Sequence, residues 1–359
     1  MKLFSSAFFV AFAVCTSYGQ RYSVTSLGRV DTVTGLNNSG QVVGSQFHIG
    51  RTHAFIWSQN NGMQYFSAPN TGDSFADGIN NAGQVVGSYY QDSGAMVAFW
   101  GNLSSGYQSL GFDGGPSDAT VALGINDSDQ IVGYRGAPQT LTAQAFICSR
   151  LGGTQYLRAF GGSNSVGLDI NNSGEAVGYA GNPFTLSARA FLWRPRFGML
   201  DLGDIGSGSR VATAINDSEE IVGYSGDPYV WNTRAFLRTA SGSVADLGTL
   251  GGEFATANDI NNEGDVVGAS FLSNQEEHGY LWSKSAGMID LNSHLDASGI
   301  GFTINSALYI NDFGQIAAYG DYRGQFVGVL LTPEAVPEPR TIAVASFGCA
   351  FLLVRRRRN

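Results

Sequence analysis

A ten-residue phrase that returns seven times constrains the fold of this chain more than any other feature. One copy, Asp259 to Gly268, reads as a small or polar residue, Ile or Leu, Asn, then Asn or Asp, a short polar turn, and two mostly β-branched residues before Gly. The copies are anchored by Asn37, Asn80, Asn126, Asn171, Asn216, Asn261 and Asn311. Successive anchors lie 43, 46, 45, 45, 45 and 50 residues apart, and a fixed period in this range indicates a repeat architecture.

Each phrase has the pattern of a β-hairpin, because Asn and Gly tolerate the positive φ that tight turns require. Two copies carry an acid, Asp129 or Glu219, where the others carry Gly, and we expect strained turns there. Two further strands per repeat are indicated by Ala-Phe-x-Trp, as at Ala54 to Trp57, and by Asp-Leu-Gly, as at Met199 to Gly203. Four short strands in each of seven repeats predict an all-β fold, a seven-bladed β-propeller of four-stranded blades.

The ends of the repeat region predict how the ring closes. Tyr22 to Gly28 matches the Asp-Leu-Gly strand, whereas the seventh repeat stops after Phe326 to Leu331, which matches Ala-Phe-x-Trp. We expect these two strands to pair, since pairing removes an exposed sheet edge. A small residue four places before most anchors, such as Ala76, predicts that the phrase strand is innermost, crowded around the central axis. The aromatic residues of Ala-Phe-x-Trp would then fill the gaps between blades.

Processing signals are predicted on both sides of a propeller that covers residues 20 to 332. Residues 1 to 19 combine Lys2, an apolar run and the small-x-small end Ser17-Tyr18-Gly19, which is the pattern of a cleaved signal peptide with a helical apolar core. Residues 333 to 340 form a Pro-rich linker, and residues 341 to 359 form a short hydrophobic helix with a basic end. Fourteen helical residues, Thr341 to Val354, reach about 21 Å, short of a ~30 Å hydrocarbon core. We therefore predict transient membrane anchoring by this transmembrane helix; the alternative is a permanent C-terminal anchor.

Two stretches resemble known bacterial families. Ile-Asn-Asn-x-Gly-Gln-Val-Val-Gly, Ala-Phe-Leu-Trp and Asp-Leu-Gly-x-Leu-Gly-Gly resemble the HAF family of extracellular repeats, over about 22 to 332, with a departure at Ile316-Ala317-Ala318. The tail looks like a PEP-CTERM sorting signal carried by Pro337, Glu338, Pro339, Arg355, Arg356, Arg357 and Arg358. These resemblances imply a secreted protein processed by signal peptidase and an exosortase. They also imply export through the inner membrane to the cell surface or the extracellular matrix.

Charge and cysteine content limit the partners and the chemistry. The whole chain has a net charge of -9, but residues 20 to 334 hold 14 basic and 28 acidic residues, a net charge of -14. This excess of acid disfavours nucleic acid and anionic membrane surfaces as partners. Cys148 is the one cysteine between the two processing signals, and it replaces the Trp of an Ala-Phe-x-Trp strand. We predict a buried, inert thiol there rather than a reactive one.

No catalytic motif stands out in the sequence. The four histidines are scattered, and no zinc motif, no Gly-x-Ser-x-Gly and no complete calcium loop occurs. We therefore predict no catalytic residue, no metal and no cofactor, with calcium in an acidic loop as the open alternative.

Three successive repeats insert a Gly-x-Pro loop before Ala-Phe, at Gly136, Gly181 and Gly226. If the phrase strand is innermost, these loops share a face with the connections between blades. We hypothesise an exposed aromatic and basic cluster that stacks on sugars, formed by Phe184, Arg189, Tyr229, Trp231 and Arg234. The alternative is that the loops fold over and cap the tops of the blades.

These observations leave functions of different classes open. The first is an exported, non-enzymatic propeller that binds or scaffolds at the cell surface or in extracellular polysaccharide. The second is a carbohydrate-active hydrolase or lyase with the same fold, and a platform for a partner protein is a third. Three or more Asp, Glu, His, Arg or Tyr side chains converging in the central pocket would favour the enzyme.

Overall fold

The computed structural model describes residues 20–66, 72–111, 119–149, 152–157, 160, 164–182, 186–227 and 231–334. The predicted signal peptide, the linker beyond residue 334 and the C-terminal helix lie outside these residues. Within the described ranges, no helix has the length and apolar character needed to cross a membrane.

The described part of the chain contains twenty-eight strands and three short 3-10 helices. The first strands are β1 Tyr22–Gly28, β2 Thr32–Leu36, β3 Val42–His48, β4 Arg51–Ser58, β5 Gly62–Tyr65, β6 Ser74–Ile79, β7 Val85–Tyr90, β8 Met96–Asn102, β9 Gly106–Ser109, β10 Thr120–Ile125, β11 Gln130–Arg135, β12 Gln144–Ser149, β13 Gly152–Tyr156 and β14 Ser165–Ile170. The others are β15 Ala176–Ala180, β16 Arg189–Arg194, β17 Gly198–Asp201, β18 Ser209–Ile215, β19 Ile221–Asp227, β20 Asn232–Arg238, β21 Val244–Asp246, β22 Gly251–Ile260, β23 Val266–Leu272, β24 Glu277–Ser283, β25 Gly287–Asp290, β26 Phe302–Ile310, β27 Ile316–Tyr322 and β28 Gln325–Pro333. The 3-10 helices are Pro138–Thr140, Leu291–His294 and Ala297–Gly299.

The strands form seven antiparallel sheets of four strands each. Blades 1 to 6 are consecutive groups of four, from β2 to β5 in blade 1 through β22 to β25 in blade 6. Blade 7 contains β26, β27 and β28 and takes β1 as its fourth strand. The predicted seven-bladed propeller is confirmed, and so is its closure by the N-terminal strand.

The closing strand pairs with β28 along almost its whole length. Tyr22 lies opposite Pro333 and Thr25 lies opposite Leu330, so the last strand runs one residue past the predicted boundary at residue 332. The other edge of β1 is also bonded: the Val24 amide donates to Ser298 Oγ at 2.6 Å, and the Tyr22 carbonyl accepts from the Asp296 amide at 2.9 Å. Both edges of the first strand are therefore satisfied within the chain.

The hydrophobic core lies between blades, as predicted. Each gap between neighbouring blades holds a buried cluster; Phe236 of blade 5, for example, packs with Val177 and Leu192 of blade 4. In blades 1 to 6 the Phe or Tyr at the centre of the third strand is almost completely buried, whereas Phe326 of blade 7 is 52% exposed. Cys148 belongs to the cluster between blades 2 and 3, and burial raises the pKa of its thiol to about 12, which fits the predicted inert thiol.

Crowding around the central axis, which we expected, does not explain the small residues that precede the anchors. Ala76 is fully buried, but it packs against Val43 and Ile56 of blade 1 and does not line the axis. It lies opposite Gly87, where an added Cβ would sit 2.0 Å from the Phe75 carbonyl oxygen. The small side chains therefore allow close packing of the strands and blades. The axis is lined by the residues that follow them.

The strained turns occur where the sequence predicted them. Asp129 and Glu219 have φ values of 57° and 59°, a left-handed conformation that is costly for residues with a Cβ. The other five copies place Gly at this position, with φ between 69° and 82°.

Candidate functional site

The seven anchor asparagines form a closed ring of hydrogen bonds between blades. Each buried anchor donates from Nδ2 to the backbone carbonyl of the next anchor, as from Asn126 to Asn171 at 2.8 Å, and the last bond returns from Asn311 to Asn37 at 3.0 Å. The Oδ1 atom of each anchor accepts two amides of its own turn, which in Asn126 are those of Ser128 and Gln130. One side chain thus shapes a hairpin and joins two blades.

A second ring lies one residue further along, at the mouth of the central channel. Its members are Asn38, Asn81, Asp127, Asn172, Asp217, Asn262 and Asp312. Each backbone amide donates to the Oδ1 atom of the next member, at 2.8 to 3.0 Å, until the ring closes.

Asparagines separate the three aspartates of this mouth ring. Asn172 donates from Nδ2 to Asp217 at 3.0 Å and to Asp127 at 3.5 Å, so an amide separates two carboxylates. No two of the three aspartates are neighbours, which avoids contact between like charges. The recurrence of Asn and Asp in every repeat therefore has a structural cause.

Inside the mouth ring, the inner strands enclose a cavity of about 510 Å³. Its walls are the inner strands of all seven blades, from the residues just before each anchor to the mouth ring. Among the described residues that line it, none is Lys, Arg or His, whereas six are Asp. The cavity is therefore polar and acidic.

Three carboxyl groups lie deep in this cavity, on alternate blades. Asp169 and Asp259 are each held by two backbone amides, one of their own strand and one of the next blade; the latter are Ile215 at 2.9 Å and Ile310 at 2.8 Å. Asp77 differs, because its Oδ2 atom is buried and has no hydrogen-bond partner in the described part of the chain. Burial raises the pKa of Asp77 to about 7, and burial with the charge of Asp169 raises that of Asp259 to about 8.

Asp77 occupies a position where three other blades place a hydrogen-bond donor and the remaining three place Leu. The pairing of the inner strand skips one residue here in each blade, which leaves that residue outside the ladder. In blades 1, 5 and 6 it is Thr34, Thr213 or Asn258, and each donates to a backbone carbonyl of the next blade at 2.6 to 2.8 Å. By repeat position, the matching acceptor for Asp77 is the carbonyl of Ala122. An ionised carboxylate cannot supply this bond, since it only accepts.

More than three Asp, Glu, His, Arg or Tyr side chains line the central cavity, which is the feature that we expected of an enzyme. They include Asp77, Asp169, Asp259 and Tyr309. The bonding of Asp169 and Asp259 argues for structural roles, since each holds an amide of the neighbouring blade. Glycoside hydrolysis needs two carboxyl groups free to act as acid and as base or nucleophile. Within the described ranges, no group of three His, Cys, Asp or Glu side chains is placed to hold a metal ion.

The sequence anticipated only part of this site. It singled out the anchors as turn residues but missed their bonds to the next blade. Asp77 was missed because it lies three residues before its anchor, just outside the repeated phrase. Asp169 and Asp259 lie two residues before theirs and open their copies of the phrase. An acid on a strand assigned to the central axis was the signal that could have found it.

The predicted basic members of the sugar-binding cluster are paired within their own blades. Arg189 forms an ion pair with Asp201, and its guanidinium lies 4.9 Å from the centre of the Phe160 ring. Arg234 forms the equivalent pair with Asp246 at 3.0 Å. Both arginines lie where the third strand begins and bond to the fourth strand of the same blade.

Trp231 is the most exposed described member of the cluster. It is 55% exposed, has φ of 54°, and packs against Phe254 and Phe271 of blade 6. Leu141 and Leu186 occupy the same loop position in blades 3 and 4 with nearly the same φ. Phe184 and Tyr229 lie outside the described residues, and no contact joins Trp231 to Arg189 among the residues that the structure covers.

Solved structures with the same architecture carry diverse activities. Virginiamycin B lyase from Staphylococcus aureus aligns with a TM-score of 0.54 and 11% identity over 86% of this chain and 99% of the lyase. An oligogalacturonate lyase in complex with manganese gives 0.57 and 11%, over 88% and 96%. The WD40 propeller domain of Doa1 gives 0.52 and 15%, over 87% and 97%.

The likeness shows the fold. At such identities it does not carry an activity across, and the fold is shared by lyases and by a WD40 domain. No protein-family model and no curated protein matches the chain.

The unpaired carboxyl makes stability depend on pH. The raised pKa of Asp77 means that the folded protein binds more protons than the unfolded chain between about pH 4 and 7, so stability falls as pH rises through this window. Asp77→Asn should remove this loss and supply the donor that Asn258 supplies in blade 6. We expect a gain of about 1 to 3 kcal/mol at pH 8 and a smaller difference at pH 4.

Thermal melts of Asp77→Asn at pH 4, 6 and 8 measure this gain, with Asp204→Asn as the control at an exposed loop position. The variant keeps other titratable groups near position 77, so its stability still depends to some extent on pH. These groups are Asp169, Asp259, Tyr134 and Tyr309. Equal melting temperatures for Asp77→Asn and the parent protein at pH 8 would contradict a costly buried carboxylate.

Proposed function

We propose that this chain is an exported, non-enzymatic β-propeller that binds or scaffolds at the cell surface or in extracellular polysaccharide. The observation that carries the proposal is the use of the repeated polar residues. The anchors, the mouth ring and two of the three deep carboxyl groups bond one blade to the next. Groups engaged in this way build a rigid scaffold and do not form a catalytic constellation.

Export is supported by the resemblances in the sequence. The repeats resemble HAF-type extracellular repeats, and the tail with Pro337, Glu338, Pro339 and Arg355 to Arg358 resembles a PEP-CTERM signal. Signal peptidase and an exosortase would then process the two ends. Fractionation of the producing cells, with mass spectrometry of the mature C-terminus, tests this part. An intact tail in the inner-membrane fraction would instead support a permanent anchor.

The top of blades 3 to 5 is the surface we assign to binding. Leu141, Leu186 and Trp231 recur at one position of three successive loops, each in the left-handed conformation and each at least one-third exposed. Bulky residues in this conformation persist only where their surroundings hold them, and such sites cluster where proteins bind ligands. Aromatic residues such as Trp231 are also enriched at binding surfaces.

Retention on a panel of immobilised polysaccharides, with analysis of the soluble fraction for released oligosaccharides, tests the binding role. Trp231→Ala should lower retention about tenfold, because aromatic anchors dominate binding energy. It should lower stability by only about 1 kcal/mol, since the ring is more than half exposed. Phe197→Ala is the matched control, because Phe197 is 85% exposed in a third-to-fourth strand turn on the opposite face.

Three outcomes would contradict the proposal or its assigned surface. Released oligosaccharide would establish the runner-up function, a carbohydrate-active hydrolase or lyase. No retention of the parent protein on any polysaccharide would remove the binding role. Unchanged retention with a large loss of melting temperature for Trp231→Ala would show that these loops only cap the blades.

A further inference from the structure

Three successive blades place a tyrosine at the same position of their second strand. Tyr134, Tyr179 and Tyr224 each follow the Gly of the phrase directly and lie opposite the Ala of Ala-Phe. Each residue is partly exposed, and its hydroxyl forms no hydrogen bond within the described part of the chain. We call these three residues the tyrosine row.

Blade 7 shows where a tyrosine at this position points. Tyr319 occupies the same position, and its hydroxyl accepts the amide of Val33 in the inner strand of blade 1 at 2.7 Å. The carbonyl of that peptide group, which belongs to Thr32, points at the second strand, since an added Cβ at Gly44 would lie 2.0 Å from its oxygen. The two groups of a trans peptide point in opposite directions, so the Val33 amide points to the free edge of the inner strand, which faces the axis. A tyrosine here therefore crosses to the next blade and brings its hydroxyl to the axis.

The tyrosine row follows the same course. Burial and the neighbouring groups Tyr134 and Tyr224 raise the pKa of Tyr179 to about 12, and burial and Asp77 raise the pKa of Tyr134. The hydroxyls therefore lie near one another and near the wall of the central cavity. Each second strand runs from its anchor turn to the opposite face, and the row lies near the ends of these strands. The row thus lines the end of the central channel away from the mouth ring.

The same three blades carry the inserted loops at this face. Leu141, Leu186 and Trp231 each follow a member of the row by seven residues, so every one of these blades presents a hydroxyl near the axis and an exposed apolar side chain in its loop. The other four blades have neither the inserted loop nor an unbonded tyrosine. Besides Tyr319, the residues at the tyrosine position are Ser45, Ser88 and Ala269. Two independent departures from the repeat thus coincide in blades 3 to 5, which indicates one shared surface.

The chemistry of this surface fits an uncharged ligand that is rich in hydroxyl groups. A tyrosine hydroxyl both donates and accepts, and its ring offers an apolar face, as the hydroxyls and the C–H faces of a sugar do. The arginines at this end of the same blades bond within their own blades: Arg189 and Arg234 form ion pairs, and Arg135 donates to the Tyr156 hydroxyl at 3.1 Å. The net charge of -14 on residues 20 to 334 disfavours a polyanion.

We propose that the tyrosine row and the loops of blades 3 to 5 together bind a neutral polysaccharide. The tyrosine hydroxyls bond to sugar hydroxyls, and Leu141, Leu186 and Trp231 contact the apolar faces of the sugar rings. This inference rests on the binding role proposed above and deepens it, because it adds the residues that orient the sugar and names the class of polymer. Polymers of uronic acids and of free amino sugars are excluded as ligands of this surface.

Titration calorimetry of the full chain at neutral pH and about 0.1 M salt, where exposed charges are screened, tests the site. The neutral probes are maltohexaose, cellohexaose and the hexamer of N-acetylglucosamine, and the charged probes are the hexamers of galacturonate and of glucosamine. We expect at least one neutral hexamer to bind about tenfold more tightly than either charged hexamer.

Tyr179→Phe and Tyr319→Phe form a matched pair, because each removes one hydroxyl from the same position of a blade. Tyr179→Phe should weaken binding of the neutral hexamer about fivefold, the worth of one hydrogen bond, and should leave the melting temperature unchanged. Tyr319→Phe removes the acceptor of the Val33 amide, so it should lower the melting temperature and leave binding within about twofold of the parent.

Four results would overturn this site: no binding of any neutral hexamer, tighter binding of a charged hexamer, equal binding by Tyr179→Phe, or a fall in its melting temperature as large as that of Tyr319→Phe. Retention on immobilised polysaccharides, measured on the same preparations, separates the two proposals. Retention that is unchanged in Tyr179→Phe would overturn the role of the tyrosine row alone. No retention of the parent protein on any polysaccharide would overturn the binding role as well.

Discussion

Thr25→Pro should prevent the ring from closing and cause the protein to aggregate. Strand β1 alternates the direction of its backbone groups, and the Val24 amide points outward to Ser298 Oγ. The Thr25 amide therefore points inward to β28, where Thr25 lies opposite Leu330. Proline at position 25 removes that donor and places its ring against the neighbouring strand.

We expect Thr25→Pro to lower the free energy of unfolding by at least about 3 kcal/mol. The effect on solubility should be larger still, because β28 would lose its neighbouring strand and become an exposed edge. Val24→Pro is the matched control, since it removes only the outward amide. Size-exclusion chromatography and thermal melts compare both with the parent. If the two proline variants behave alike and remain soluble, closure by the first strand does not hold the ring together in solution.

Much of this fold could be predicted because the repeat supplies the same information seven times. The phrase predicts a hairpin, and the motifs Ala-Phe-x-Trp and Asp-Leu-Gly predict two more strands. The surplus strand Tyr22–Gly28 then pairs with the one blade that lacks a fourth strand. Even the left-handed turns at Asp129 and Glu219 followed from the loss of Gly. These are local rules of backbone conformation, which a short window of sequence contains.

The site was harder to predict because it depends on distances between blades. No local pattern says that an anchor side chain reaches a carbonyl 45 residues away, as Asn126 reaches Asn171. One clue was present: Asn occupies the anchor position in all seven copies, whereas the Gly position of the turn varies. A turn alone would have tolerated other residues, so strict identity indicated a second bond.

The loops above blades 3 to 5 illustrate the opposite case. Their sequence suggested an exposed cluster from the presence of aromatic and basic residues. Arg189 and Arg234 form ion pairs with Asp201 and Asp246 of their own blades, yet each arginine side chain stays 48% exposed. Composition alone could not reveal these pairs, because they depend on the third and fourth strands lying side by side.

Asn126→Ala should destabilise the propeller by about 2 to 4 kcal/mol, because one side chain serves two blades. Its removal leaves the amides of Ser128 and Gln130 without their acceptor and breaks the 2.8 Å bond to the carbonyl of Asn171. That carbonyl keeps the Gly174 amide as a donor, so most of the cost falls on the turn of blade 3.

Asn126→Asp separates the two roles of the anchor. It keeps an oxygen for the two amides but loses the donor to blade 4, and it adds a charge beside Asp127 and Asp129. Its cost should therefore grow as pH rises from about 4 to 7, while that of Asn126→Ala stays constant over the same range. Asn60→Ala, in an exposed turn of blade 1, is the control.

Denaturant unfolding at pH 4 and pH 7 measures both costs and shows whether the blades unfold together. A loss below about 0.5 kcal/mol for Asn126→Ala, the size expected at an ordinary surface position, would mean that the ring of anchors does not bind the blades to one another. A loss of cooperativity in Asn126→Ala, with blade 3 opening first, would locate the linkage in this ring. The seven blades would then owe their rigid arrangement to bonds around the axis as well as to the packing between their faces.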